Sequence, residues 1–265
     1  MGFVSSPEEL DTIQQLLDRP VYTGESVSVG FRTKESFVRE VLPPCFELAD
    51  EPLGSVSMSH QASDREIFTC TTVRLAARFG DITGAYNLMM TFSGDMPITI
   101  GREKWGEPKK RGETEFGFVG ETFRGSCTRY GREIVRIEAD FTEQVAGVPQ
   151  EATSLELKAS MATNGLALQE DPRVVAVWGA HRNVHSQWTG TASVDLLGGE
   201  NDPLETIPIV SWGDATYTYS DLALTRCEEF TLDTPDRSVY LPYLIGRSYD
   251  FPSGDHLGDF RQIAV

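Results

Sequence analysis

The stretch ITIGREKWGEPKKRGETEFGF occupies residues 98–118. It places five basic side chains, Arg102, Lys104, Lys109, Lys110 and Arg111, within ten residues of an otherwise acidic chain. Pro108 stands directly before the two lysines. A lysine pair taken alone usually marks a solvated basic turn. Two features argue for more. The alternation in MPITIG predicts a strand leading into the segment, and Pro108 fixes the backbone just before the amine. Trp105 and the glycines suit a place where the chain closely approaches another group.

Outward from this stretch the chain reads mostly as strands. SVSVGFRT, FTCTTVRLAARF, AYNLMMTF, ITIGRE, EIVRIEADF, SLELKAS, VVAVWGAHRNVHSQWTG and ASVDLL are rich in β-branched and aromatic residues, with turn signals between them. Two helices are predicted near the start. SSPEELDTIQQLLDRP has Ser6 as N-cap, Pro7 in the first turn, Glu9 closing a capping box and Leu10, Ile13, Leu16 and Leu17 on one face. TKESFVREVLPP packs Phe37, Val38, Val41 and Leu42 inward and stops at Pro43. Few helices lie between strands, which excludes a doubly wound parallel sheet. The expected fold is mainly β (α+β): an antiparallel barrel with peripheral helices, in a single domain spanning 1–265. The aromatic, Pro- and Gly-rich last thirty residues are expected to form an arm over the barrel or a subunit contact.

The 265 residues suffice for a sizeable core without disulfides or metal. Forty acidic against 23 basic residues give a net charge of −17, which opposes nucleic acid and anionic membranes as partners. No apolar run approaches the roughly 20 residues of a membrane span. The start lacks the pattern of a secretory signal, and Cys45, Cys70, Cys127 and Cys227 form no C-x-x-C pair. A cytoplasmic protein with reduced thiols is expected. His181 and His185 lie in strand-like sequence, where residues four apart stand about 13 Å from each other, too far to share one ion. Cys70 has no visible base and reads as a small buried strand residue. No phosphate-binding glycine pattern is present. Neither metal nor cofactor is therefore expected.

Gly101, Arg102 and Glu103, followed after a short gap by Pro108, Lys109 and Lys110, resemble the signature of the acetoacetate decarboxylase family. VREVLPPCFELADEPL, GAYNLMM, VHSQWTG and PLETIPI extend the resemblance over roughly residues 20–230. The family implies a β-barrel or cone with flanking helices, usually in an oligomer, and so a homo-oligomer here. It implies that Lys109 attacks a substrate ketone to form an imine, an electron sink for loss of carbon dioxide or for aldol addition. The expected partner is a small keto acid or other carbonyl compound. Arg102 and Glu103 are expected to support the loop.

An imine needs a free amine, whereas an ordinary lysine keeps its proton to about pH 10.4. Side chains 109 and 110 point to opposite faces of an extended chain. With the two charges about 10 Å apart, repulsion contributes at most about 1.7 kcal/mol at an effective dielectric of about 20. Burial has the larger reach. An apolar pocket is therefore expected to be the main influence on Lys109, with Met89 or Met90, Trp105 and Phe116 as walls and Lys110 secondary. Glu107 is a candidate proton shuttle. The family's early-strand arginine and two glutamates align with Gly24, Ser57 and Cys70, with Glu25 and Glu66 displaced nearby. The candidate set is thus Lys109, Lys110 and Glu107 for catalysis, and Trp105, Met90, Cys70 and Ser57 for substrate. The expected activity is a Schiff-base lyase, most simply a β-keto acid decarboxylase. Aldolase-dehydratase or cyclase chemistry and a non-catalytic binding barrel are the alternatives.

Overall fold

The computed structural model describes residues 3–18, 21–63 and 66–250. In chain order the elements are α1 (Pro7–Asp18), β1 (Val21–Arg32), α2 (Glu35–Val41), β2 (Glu47–Leu48), β3 (Leu53–Ala62), β4 (Ile67–Phe79) and β5 (Ile82–Phe92). Then come α3 (Asp95–Ile100), a π-helical turn (Gly101–Trp105), β6 (Lys109–Arg111), β7 (Glu113–Val119), β8 (Thr122–Arg129), β9 (Arg132–Gln144) and β10 (Gln150–Lys158). The chain continues through β11 (Arg173–Leu196), β12 (Ser211–Thr231) and α4 (Leu241–Ser248).

Seven strands form a closed ring in the order β10-β5-β4-β3-β1-β12-β11, with β11 returning to β10. Neighbours in the ring are antiparallel except at β5–β10, which pair in parallel through Ala85–Ser154 and Tyr86–Leu155. The 24-residue β11 serves two layers. Its first half pairs with β10, and its second half pairs with β9 and carries the outer layer β9-β8-β7.

Strict alternation assigns the two faces of the ring strands. Val27, Val29, Val56, Met58, Val73 and Leu75 join Phe123, Val135 and Ile137 of the outer layer in the main core. Their neighbours Ser26, Ser28, Ser55, Ser57, Thr72 and Arg74 face a cavity inside the ring. Close packing of the layers extends to Gly125, where an added Cβ would lie 2.6 Å from the Met58 sulfur. The mainly β expectation holds, as do both helices near the start. At α1 the Ser6 Oγ accepts from the Glu9 N–H at 3.2 Å, and Glu9 accepts from the Ser6 N–H at 2.9 Å, a reciprocal capping box. Leu10 on its apolar face is exposed. The side chains of Leu16 and Leu17, and most of the expected C-terminal arm, lie outside the described residues.

MPITIG is not a strand. It forms the body of α3 and leads directly into the π-helical turn. The alternation of Ile98 and Ile100 was misleading because local signals override it. Asp95 sits in the first turn, and Pro97 is tolerated there because first-turn amides need no helical partner. Gly106 at φ +73° then ends the helical run as a left-handed cap.

Candidate active site

The route into the site is set by local geometry around Pro108. After Gly106 turns the chain, the Glu107 N–H donates to the Gly101 carbonyl at 3.1 Å. The Lys109 N–H donates back to the Glu107 carbonyl at 2.8 Å, a tight i to i+2 turn centred on Pro108. The turn brings side chains 107 and 109 together on one side. Lys109 Nζ stands 2.8 Å from Glu107 Oε2, and both residues are buried. β6 then pairs in parallel with β5, setting Lys109 beside Met90.

The amine lies 4.2 Å from the centroid of the Phe92 ring and 5.6 Å from that of Trp105. Gly101 is pressed against it from the π-helical turn: a Cβ there would meet Glu107 Oε2 at 2.4 Å and Lys109 Nζ at 2.7 Å. π-helical turns recur at functional sites, and this one lets the backbone abut the amine. Arg102 clamps the arrangement from outside. Its Nη1 donates to the Lys109 carbonyl and to the Ser248 carbonyl at the end of α4, each at 3.1 Å. Glu103 is exposed.

Lys109 opens into the cavity within the ring, which has a volume of about 710 Å³. Glu107, Trp105, Met90, Cys70 and Ser57 line the same cavity, so the structure gathers all the proposed substrate-facing positions around it. The register places Thr189, Thr216, Ser28, Ser57, Thr72, Met90 and Lys109 in a single row across the strands. A parallel row runs Gln187, Thr218, Ser26, Ser59, Cys70, Phe92. The floor is therefore largely hydroxyl-bearing, with an apolar end formed by Phe68, Met90, Phe92 and Trp105 around the amine. Ser57 bonds Thr72 at 2.8 Å, and Ser59 bonds Cys70 at 2.9 Å. Burial pushes the Cys70 thiol above its ordinary range, against the Ser59 hydrogen bond and the charges of Lys109 and Arg74. A thiol held neutral in this way is a wall, not a nucleophile.

Several expectations need correction. Met89 and Phe116 belong to the core between the layers, on the face away from the cavity. Phe92 and Phe68 take their place as walls. Phe92 could have been found by alternation from Met90. The surroundings of Lys109 are not simply apolar, because the tight turn brings the Glu107 carboxylate to its amine. Gly24 contributes no side chain, and a Cβ there would lie 2.0 Å from the His60 carbonyl oxygen. Glu25 is bonded by the Tyr217 hydroxyl at 2.9 Å, while Glu66 lines the cavity.

Lys110 turns to the opposite face, as the pleat requires, and does not line the cavity. Its amine lies 2.8 Å from Asp250, 3.6 Å from Asp202 and 3.1 Å from the Asn201 carbonyl, to which it donates. Arg129 pairs with the same two aspartates. Burial alone would raise the Asp250 carboxyl. Hydrogen bonds from Lys110, Arg129 and Tyr130 outweigh it and hold the group at about 2. His181 Nδ1 meets Ser220 Oγ at 2.8 Å, while His185 meets Asp221 at 3.3 Å, so the two rings have separate partners. Among the described residues no group of three or more His, Cys, Asp and Glu could hold a metal, and no helix is long and apolar enough to cross a membrane.

Sequence reasoning missed a polar chain that begins at Arg74 on the cavity wall. Arg74 Nε donates to Asn87 Oδ1 at 3.0 Å. The Asn87 amide donates to Ser154 and Glu156. The fully buried Glu156 also accepts from Arg247 of α4 at 3.2 Å. Burial first, and then the charge of Glu107, push the Glu156 carboxyl up to about 7, against Arg247 and its hydrogen bonds.

A family model described as acetoacetate decarboxylase (ADC) matches residues 4–229. The chain belongs to the acetoacetate decarboxylase family. Among relatives, this family member is 24% identical over 210 residues to the acetoacetate decarboxylase of Clostridium acetobutylicum, covering 77% of this chain and 85% of that one. Its fold is shared with the crystal structure of acetoacetate decarboxylase from Legionella pneumophila, at a TM-score of 0.70 and 18% identity, over 81% of this chain and 87% of that one. The fold is also shared with the enduracididine biosynthesis enzyme MppR, whose structure holds the condensation product of pyruvate and imidazole 4-carboxaldehyde. There the TM-score is 0.67 at 17% identity, over 80% of this family member and 88% of MppR.

Proposed function

We propose that the protein is a carbon–carbon lyase that captures a keto acid or related carbonyl compound as an imine on Lys109. One observation carries this reading: a buried lysine amine at the apolar end of a ligand-sized cavity, 2.8 Å from a buried carboxylate. In the reaction the neutral amine attacks the carbonyl carbon, and the carbonyl electron pair moves to oxygen. Glu107, which takes a proton from the lysine ammonium to free the amine, relays one proton from nitrogen to that oxygen and then gives up its own, so that the hydroxyl leaves as water. The resulting iminium carries positive charge where Phe92, Trp105 and Glu107 all favour it. In a β-keto acid the bond to the carboxylate then breaks. Carbon dioxide leaves, the bonding pair becomes an enamine, and protonation at carbon followed by hydrolysis restores the amine.

Incubation with acetoacetate or pyruvate, borohydride reduction and mass mapping test this reading. The expected result is one adduct on Lys109, absent in Lys109→Ala. Failure of every small ketone to form an adduct would favour a non-catalytic binding barrel. Carbon dioxide release from acetoacetate separates decarboxylation from a second reading, aldol condensation with dehydration or cyclisation. Two observations favour that second reading: the cavity greatly exceeds a four-carbon keto acid, and MppR, with the same fold, is seen with a condensation product.

A further inference from the structure

Arg74 is the one arginine lining the cavity among the described residues, and its setting differs from that of most arginines in this chain. Arg32, Arg39, Arg78, Arg111, Arg129 and Arg226 all pair with carboxylates. Arg74 has no ion pair among the described residues, in a chain with 40 acidic side chains. Its bond is from Nε to Asn87, which among the described residues leaves both terminal nitrogens of the guanidinium fork uncommitted.

The support beneath it is built. A bulge between β4 and β5 pairs Val73 with Met89 but Arg74 with Asn87, leaving Leu88 as the extra residue. Simple alternation from Met90 would turn Asn87 away from the cavity. The bulge re-aims it inward beside Arg74. Asn87 is itself held by Ser154 and Glu156, so the guanidinium is oriented by a fixed acceptor. Its charge is felt across the cavity. Together with burial it holds the His181 ring below its ordinary range.

We propose that Arg74 binds a carboxylate of the substrate that the reaction retains, at a point remote from the carbonyl captured by Lys109. The remoteness follows from the register. Lys109 is two strands from Arg74 and two residues along, a Cα separation of about 12 Å on an unbent sheet. Retention follows from the chemistry. A carboxylate departing as carbon dioxide loses its charge, and a forked ion pair would stabilise it before reaction more than in the transition state. The acid on Arg74 is therefore not the one a decarboxylation would expel. The substrate class is a carbonyl compound with a distal carboxylate, large enough to use a cavity in the size range of drug-like ligands.

The remoteness of the acid rests on the Lys109 reading, but the subsite can be tested without it. Phenylbutanoate and its amide, neither a ketone, are titrated calorimetrically into the wild-type protein, Arg74→Gln and Arg74→Lys. The wild type should prefer the carboxylate by about tenfold or more. The preference should vanish in Arg74→Gln, which keeps a donor toward Asn87, and be partly kept in Arg74→Lys, with thermal melting confirming the fold of each. A wild type that does not bind or prefer the carboxylate, or an undiminished preference in Arg74→Gln, overturns the proposal. Borohydride trapping of para-acetylbenzoate and its methyl ester adds the covalent step, and the acid-to-ester ratio of half-trapping concentrations should shift about tenfold in Arg74→Gln. If neither ketone is trapped, the Lys109 reading fails while the calorimetry still decides Arg74.

Discussion

Gly101 and Lys109 are in contact through space that no other residue at position 101 would leave free. A Cβ on Gly101 would stand 2.5 Å from Lys109 Cδ and 2.7 Å from its amine. The atoms it would displace are the ends of flexible side chains, not backbone. Gly101→Ala should therefore keep its fold, with a loss of stability below about 2 kcal/mol. Its borohydride trapping of ketones should fall by at least about tenfold, because the amine is pushed off line. Trapping at the wild-type rate would mean that the contact does not position the nucleophile.

Glu107 is placed to accept and return the protons of imine formation. Glu107→Gln preserves size and removes that capacity. Imine formation should slow by about a hundredfold, in the range typical of general acid–base catalysis. Stopped-flow or timed-quench trapping at several pH values measures this. An unchanged rate would reduce Glu107 to a counter-ion.

Lys110 should matter for stability. It completes a buried cluster in which two cations face two carboxylates. Lys110→Ala leaves Asp202 and Asp250 under-compensated and should cost about 3–5 kcal/mol, read by denaturant unfolding. The Asp250 contribution has a definite pH sense. Its carboxyl is held below the ordinary value of 3.8, so its stabilisation is present above that value and lost as pH falls through about 2.

Glu156 acts in the opposite sense. Its carboxyl is raised from 4.5 to about 7, so its contribution is full below pH 4.5 and disappears as pH rises through about 7. The difference corresponds to on the order of 3 kcal/mol. The groups facing it are Arg247, Asn87 and Ser154, with Tyr86 and Glu107 adding their fields. Unfolding free energy should decline over this window in the wild type and much less in Glu156→Gln. Parallel profiles for the two proteins would show that Glu156 does not carry the effect.

What could be read in advance was what the chain encodes over short distances. The opposite facing of Lys109 and Lys110 follows from the pleat, while Ser57 and Cys70 came to the site through the family alignment and the choice between Met89 and Met90 stayed open until the register decided it. The π-helical turn was hidden because Ile98 and Ile100 imitate a strand, while the controlling signals are Pro97 and Gly106. The Glu107–Lys109 contact depends on the turn at Pro108, and spacing alone does not reveal it. Asp202, Asp250, Glu156 and Arg247 were out of reach for a different reason. Each meets its partner across dozens of residues of chain, and only the closed ring brings them together. Asn87 was obscured by a single inserted residue that reverses the alternation.

The ring is fastened unevenly. Its β5–β10 joint has two residue pairs, whereas every other joint has nine or more. A hoop under thermal load opens at its weakest fastening, so the backbone amides of Ala85, Tyr86, Ser154 and Leu155 should show the earliest deuterium uptake among ring residues. Across that joint Asn87 reaches from β5 to Ser154 and Glu156 of β10, and Arg247 ties Tyr86 to Glu156. These side chains act as a latch where the ladder is short. The same asparagine that aims Arg74 into the cavity also helps hold the hoop shut.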